Sequence, residues 1–143
     1  MINICIVDTQ TRNDLLFRVT KLADEDDQIL GNTAMYTFEG DRLIAFVDDL
    51  TDTVVGFIQY YVKKTKPEIS LHRICVNKNY RRQGFGRLLI EKMIASHPEI
   101  QSVLLKCPVG ISANNFYQAL DFINEGIVEA RTGRKLILWR KIL

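Results

Sequence analysis

The sequence is poor in the features that would tie it to a metal, a membrane or a polyanion. Its three cysteines, Cys5, Cys75 and Cys107, are odd in number and far apart, and each lies in an apolar, strand-like run. That pattern speaks against a disulfide framework and suits reduced, buried thiols in a cytoplasmic protein. The two histidines, His72 and His97, have no cysteine or histidine near them, so no metal-ligand spacing exists and no metal is expected. No apolar run approaches the roughly 20 residues of a transmembrane helix. "MINICIVDTQ" carries no basic residues ahead of its apolar stretch, so no signal peptide is expected either. A formal net charge of +2 is too small to argue for nucleic acid or a membrane surface as partner. Repeats, low-complexity tracts and linkers are also missing.

What is present is an ordinary globular composition, 47% hydrophobic and 25% charged over 143 residues, enough for one domain, 1–143, with a real core. "INICIV" (2–7) reads as a strand. "TRNDLLFRVTKLADEDD" (11–27) reads as an amphipathic helix with Leu15, Leu16, Val19 and Leu22 on one face, and 28–40 as a short helix and a loop. "RLIAFVDD" (42–49) and "VVGFIQYYVKK" (54–64) are β-branched and aromatic runs joined by a turn, which predicts an antiparallel hairpin. "ISLHRICV" (69–76) is a third strand. "FGRLLIEKMIAS" (85–96) is a helix burying Leu89, Ile90, Met93 and Ile94, with Pro98 as its stop. A strand over 101–109, a short helix over 112–120 capped by Ser112, and two strands around Arg131–Arg134 complete a mixed α/β chain. His97, at a helix end, is expected to act as a capping cation. Trp139, Tyr60 and Tyr61 are expected to pack in the sheet.

The stretch that carries chemistry is "NKNYRRQGFGRLL" (77–89). Gly84 and Gly86 allow close backbone approach, helix N-termini offer unpaired N–H groups and a positive dipole end, and Arg81, Arg82 and Arg87 add charge. Read alone, it is either a phosphate cradle or a glycine turn with solvated arginines. A Walker A loop is excluded, because GxxxxGK followed by Ser or Thr is missing. A dinucleotide fingerprint is excluded because its third glycine position holds Leu89 and the motif lies mid-chain, after a hairpin. A kinase glycine loop fails at the same position, and the chain is too short for a kinase.

With "ICV" before it and a helix after it, Arg81-Arg82-Gln83-Gly84-Phe85-Gly86 matches (Gln/Arg)-x-x-Gly-x-(Gly/Ala), and the chain resembles the GNAT family of N-acetyltransferases over nearly its whole length. The resemblance implies an α/β (α+β) fold: a central, mixed, mostly antiparallel twisted sheet of about seven strands flanked by about four helices. It implies that Arg81, Arg82, Gln83, Gly84, Phe85, Gly86 and Arg87 wrap the pyrophosphate of acetyl-CoA. It also implies that the strand before the loop splays from its neighbour, so that the backbone of Ile74, Cys75 and Val76 meets the pantetheine arm and the acetyl carbonyl. One N–H there, aimed at the oxyanion, would be worth about 2.7–4 kcal/mol.

"GISANNFYQALDF" (110–122) is similar to the family's second site, with Ala113, Phe116, Tyr117 and Phe122 matching. Tyr117 takes the role of the acid that protonates the departing thiolate, a phenol of pKa near 10 being suited to it; outside the resemblance it reads as a helix aromatic. Two positions depart from the pattern. Gly110 stands where the family often has Asn, so Asn114 or Asn115 is the candidate polar contact to the pantetheine arm. Asp121 stands where Gly is frequent, and is expected to alter only the helix ending.

Some family members use a strand carboxylate as base, but that position holds Ser70. By alternation Glu68, Ser70 and His72 share a face. His72, with an ordinary pKa near 6.5, is one candidate base, Glu68 the second, and a water chain the third possibility. The acidic clusters Asp24–Asp27 and Asp48, Asp49 and Asp52 are either solvated turns or a rim for a cationic acceptor. The expected activity is acetyl transfer to a primary amine by direct attack in a ternary complex, with a small amine, a polyamine or a protein amine as acceptor. The alternative is a non-catalytic acyl-CoA sensor. The closing β-hairpin suits a homodimer seam.

Overall fold

The structure is a computed structural model that describes residues 2–7 by their backbone, and residues 22 and 40–143 in full. The expected helix over 11–27 lies outside the described residues except at Leu22, which is helical; the segment 28–39 and the cluster Asp24–Asp27 lie outside them entirely. The chain divides into two compact units, the first formed by Met1–Tyr61 and Arg73–Pro98, the second by Val62–His72 and Glu99–Leu143.

In the first unit strands hydrogen-bond in the order β1-β2-β3-β4. They are β1 (Ile2–Val7), β2 (Arg42–Asp48), β3 (Thr53–Val62) and the second half of β4 (Glu68–Val76). β1 and β2 are antiparallel, as are β2 and β3. Leu43 to Val47 and Val54 to Tyr60 are almost continuously buried, which is why these strands read as apolar runs and not as alternations. One face gathers Leu43, Ala45, Val47, Val54, Phe57 and Cys75, with Leu22 packed against them. Helix α1 (Phe85–Ala95) contributes Leu89, Ile90 and Met93 to the core, and Leu89 lies close over Gly56. A Cβ on Gly56 would come within 2.8 Å of the Cys75 carbonyl oxygen; here β3 and β4 approach too closely for any side chain.

In the second unit the order is β4-β5-β7-β6, with β5 at Ser102–Pro108, α2 at Ala113–Ala119, β6 at Ile123–Glu129 and β7 at Lys135–Ile142. β5 runs antiparallel to β7, and β7 to β6. β4 and β5 are parallel and pair only from Glu68–Ser102 to Ser70–Leu104, although β5 continues to Pro108 and β4 to Val76. The mixed, mostly antiparallel sheet expected from the sequence is therefore present, with seven strands. Two α-helices are seen among the described residues.

Two local expectations are corrected. Ser112 precedes α2 in helical conformation and makes no side-chain cap; a cap needs the extended backbone that turns the hydroxyl onto the helix N–H groups. His97 is no solvated capping cation: it is buried, and its Nε2 lies 2.9 Å from the Tyr60 hydroxyl, with the two rings edge-on. α1 ends instead through Ser96, whose N–H and hydroxyl both donate to the Lys92 carbonyl.

Candidate active site

β4 leads through a short 3-10 turn (Lys78–Tyr80) into the glycine loop. Gly84 is the N-cap of α1, in left-handed conformation with φ 85° and no side-chain cap. The N–H groups of Gly84, Phe85, Gly86 and Arg87 precede the first intrahelical bond, donated by Leu88 to the Gly84 carbonyl at 3.1 Å; these are the four donors a helix start cannot satisfy internally. Nothing lies within 4 Å of where a Gly84 Cβ would be, so the approach is open. Arg81, Arg82, Gln83 and Arg87 are exposed around it. Arg82 also has a left-handed backbone, φ 63°, a conformation that costs a non-glycine residue about 1 kcal/mol or more and so points to function. The donor set, the open cradle and the surrounding charge fit a phosphate group.

The loop rests on a polar and aromatic base. The Phe85 ring faces inward, edge-on to Phe46 at 6.5 Å and to Tyr80 at 6.3 Å, which leaves its backbone for any ligand. The Tyr80 hydroxyl donates to Asp48 at 3.0 Å. The Leu50 N–H, and then that hydroxyl, hold the Asp48 carboxyl below its ordinary pKa. Asp48, read from the sequence as either a solvated turn carboxylate or part of an acidic rim, therefore serves the turn beneath the loop. On the strand before the loop, Ile74 and Val76 are half-buried and the Cys75 side chain is buried, consistent with its reading as a small core hydrophobe.

In the second unit, α2 places Tyr117 in apolar surroundings. Its ring contacts Phe116 at 5.4 Å and Phe122 at 5.7 Å. Burial pushes its pKa well up, and Cys107 pushes it in the same direction, so the phenol stays protonated throughout the neutral range. The Cys107 thiol is itself raised by burial to about 11, despite the opposing charge of Arg134, and is no nucleophile at neutral pH.

The chain leaves α2 through a Schellman ending: the Phe122 N–H donates to the Tyr117 carbonyl and the Asp121 N–H to Gln118, both at 3.1 Å. Asp121 supplies the left-handed residue, φ 67°, and the Tyr117–Phe122 contact is the apolar closure such endings carry. The departure at Asp121 thus stays confined to the helix ending, as expected.

Asn114 is committed inside the unit. Its Nδ2 donates to Pro108 O at 2.8 Å and Ile111 O at 3.1 Å, and its Oδ1 accepts from Trp139 Nε1 at 2.9 Å. Both amide hydrogens are spent on structure. Asn115 is exposed, and Gly110 has φ 88° in an open turn, where glycine is favoured over any side chain.

The candidate bases differ sharply. His72 is exposed on β4. Glu68 is 5% exposed and bonded from several sides: Lys63 pairs with Oε1, Ser102 donates to Oε2 at 2.7 Å, and Arg140 lies 3.2 Å away while also pairing with Glu125 at 2.8 Å. Burial alone would raise the Glu68 pKa, but the Lys63 and Ser102 hydrogen bonds and the charges of Lys63 and Arg140 bring it below its ordinary value. Alternation could not show this, because the cations come from the neighbouring turn and from β7.

Among the described residues no three His, Cys, Asp or Glu side chains gather as metal ligands, and no helix is long and apolar enough to cross a membrane.

Comparison with known proteins agrees with this geometry. The model of the acetyltransferase (GNAT) family matches residues 10–122. No curated protein matches the sequence directly. Among solved structures, the ribosomal-protein-S18-alanine N-acetyltransferase from Escherichia coli superposes with a TM-score of 0.72 at 18% identity, over 99% of this chain and 94% of its own. A spermidine N-acetyltransferase variant from Vibrio cholerae gives 0.76 at 13% identity, over 99% and 93%. An aminoglycoside 6'-N-acetyltransferase complexed with coenzyme A gives 0.69 at 17%, over 96% of each chain. Likenesses at such identity establish the fold, and the family match over most of the chain settles the rest: the protein is a member of the GNAT acetyltransferase family.

Proposed function

We propose that the protein transfers the acetyl group of acetyl-CoA to a primary amine. The observation that carries this reading is the start of α1: four unsatisfied N–H donors under an unobstructed Gly84, ringed by Arg81, Arg82 and Arg87. The residues from Arg81 to Arg87 would hold the pyrophosphate, and the backbone of Ile74, Cys75 and Val76 the pantetheine arm. Acetyl-CoA would supply the activated acyl group.

Tyr117 is the proposed acid. Its burial keeps the proton on oxygen, and donation to a thiolate is favourable where the thiolate shares the same loss of water. With Glu68 taken up by Lys63, Ser102 and Arg140, the base is assigned to His72, acting directly or through water. The direct contact to the pantetheine arm falls to Asn115, since Asn114 is engaged internally. The proposed acceptor falls in one of the classes named for the structural neighbours, a ribosomal-protein alanine, a polyamine or an aminoglycoside. The buried cysteines Cys75 and Cys107 suit a reducing, cytoplasmic setting.

The test is calorimetry with CoA and dephospho-CoA, followed by a thiol-release screen with acetyl-CoA over an amine panel. Micromolar CoA binding with thiol release on one acceptor class supports the proposal. Binding without release on any amine favours a sensor, and no binding removes the cradle assignment.

A further inference from the structure

Asn77 opens the stretch that leads from β4 into the glycine loop and was given no role of its own in the motif, yet it makes four hydrogen bonds. Its N–H donates to Val55 O at 2.7 Å and its carbonyl accepts from the Tyr80 N–H at 2.8 Å. Its side-chain Nδ2 donates to Val54 O at 3.2 Å, and its Oδ1 accepts from the Asn79 N–H at 3.1 Å. Both carbonyls lie at a β-bulge: the β2–β3 register passes from Phe46–Gly56 to Val47–Val54, so Val55 is an extra residue on β3.

We propose that Asn77 is the positioning residue of the anion loop, coupling the β3 bulge to the place where the loop begins. The inference rests on the acetyl-CoA reading above. On one side Asn77 grips the bulge through a backbone and a side-chain donor. On the other it closes an Asx turn that starts the 3-10 segment, from which Tyr80 reaches Asp48 and Phe85 and Arg81 Nε returns to Val76 O at 3.0 Å. The residue needs a donor and an acceptor on one short side chain. Aspartate lacks the donor, serine lacks the reach to Val54, and glutamine moves both groups one carbon outward. Alanine leaves the core of the unit intact but frees the loop's N-terminal post. The donors at the start of α1 then have to be ordered by the ligand itself, and affinity falls by that cost.

The experiment measures CoA affinity by calorimetry together with the thermal midpoint, for wild type, Asn77→Ala, Asn77→Ser and Tyr60→Phe. Tyr60→Phe removes the buried bond to His97 in the same unit and reports what loss of stability alone does to binding. Asn77→Ala is expected to weaken CoA about tenfold, and Asn77→Ser, which keeps the acceptor for Asn79, about threefold. Tyr60→Phe should stay within about twofold of wild type even at an equal loss of thermal midpoint. The inference is overturned if Asn77→Ala binds CoA as wild type does, or if Tyr60→Phe weakens binding as much. Should Asn77→Ala not fold, Asn77→Ser decides alone, with wild-type affinity as the overturning result. Wild-type protein that fails to bind CoA would instead remove the acetyl-CoA reading beneath the inference.

Discussion

The glycine loop and the C-terminal end of α2 solve opposite electrostatic problems. At the loop the useful groups are N–H donors and guanidinium ions, and they are left in water: Arg81, Arg82, Gly84 and Arg87 are all exposed. Beneath it the loop is held by the hydrogen bonds of Asn77 and Tyr80 and the ring contact of Phe85. At α2 the group proposed as the acid is one phenol, and it is buried, with Phe116 and Phe122 against the ring. A site for a charged ligand must keep its donors unsatisfied until the ligand arrives, whereas a site that stores a proton must deny the charged form its solvation. Both units contain left-handed residues at the decisive turn, Arg82 and Gly84 in one and Asp121 in the other.

Substitutions can break this contrast, and the largest effect is expected at the loop. Gly84→Asp places a carboxylate beside the four donors, in a conformation that glycine tolerates best. CoA binding by calorimetry should fall by more than about a hundredfold, while the fold, read by circular dichroism, is retained; unchanged affinity would show that the loop is only a turn. Next comes Tyr117→Phe. It keeps the apolar packing and removes the proton, so turnover measured by thiol release should drop about a hundredfold with CoA affinity within about twofold. Full activity would leave Tyr117 as packing alone.

Glu68→Gln tests the third region, the buried carboxylate between Lys63, Ser102 and Arg140. It should cost about 2 kcal/mol in urea unfolding, less than the ~3–5 kcal/mol of a fully buried pair, because both cations keep a quarter or more of their side chains in water. The native Glu68 pKa lies below its ordinary 4.5, so the contribution is complete above about pH 4.5 and is lost as the pH falls through the native value. The gap between wild type and Glu68→Gln should therefore close in acid; a gap independent of pH would mean that packing and not charge explains the loss.

The smallest effect is a gain. Asp121→Gly relieves a left-handed aspartate at the Schellman ending and should raise stability by about 0.5 kcal/mol, after the added freedom of the unfolded glycine is subtracted. A loss there would show that the Asp121 side chain has contacts of its own.

Much of this contrast was legible in the sequence, and the exceptions share one cause. The loop was legible because its requirements are local: two glycines, three arginines and a helix start within a few residues. The buried β2 and β3 were legible as apolar, β-branched runs, and the buried face of α1 from helical spacing, except at Ile94, which is only half-buried. His97 was read wrongly because its partner Tyr60 is 37 residues away and the helix-end context suggested solvent. The choice between Asn114 and Asn115 as the ligand contact was open in the sequence, because nothing nearby announces that Trp139, 25 residues on, donates to the Asn114 oxygen. The role proposed for Asn77 was not legible within its stretch, because the β3 bulge it binds exists only once β2 and β3 are paired.

The sequence by itself determined the strands, the helix that opens on Gly84, and the residue types able to hold a phosphate, since these depend on backbone freedom and on contacts within a few residues. The tertiary structure alone decided which polar side chains remain available for chemistry. Glu68 and Asn114 are claimed by partners from other elements and Tyr117 is sealed from water, because burial and pairing depend on the three-dimensional neighbours that arrive only with the fold.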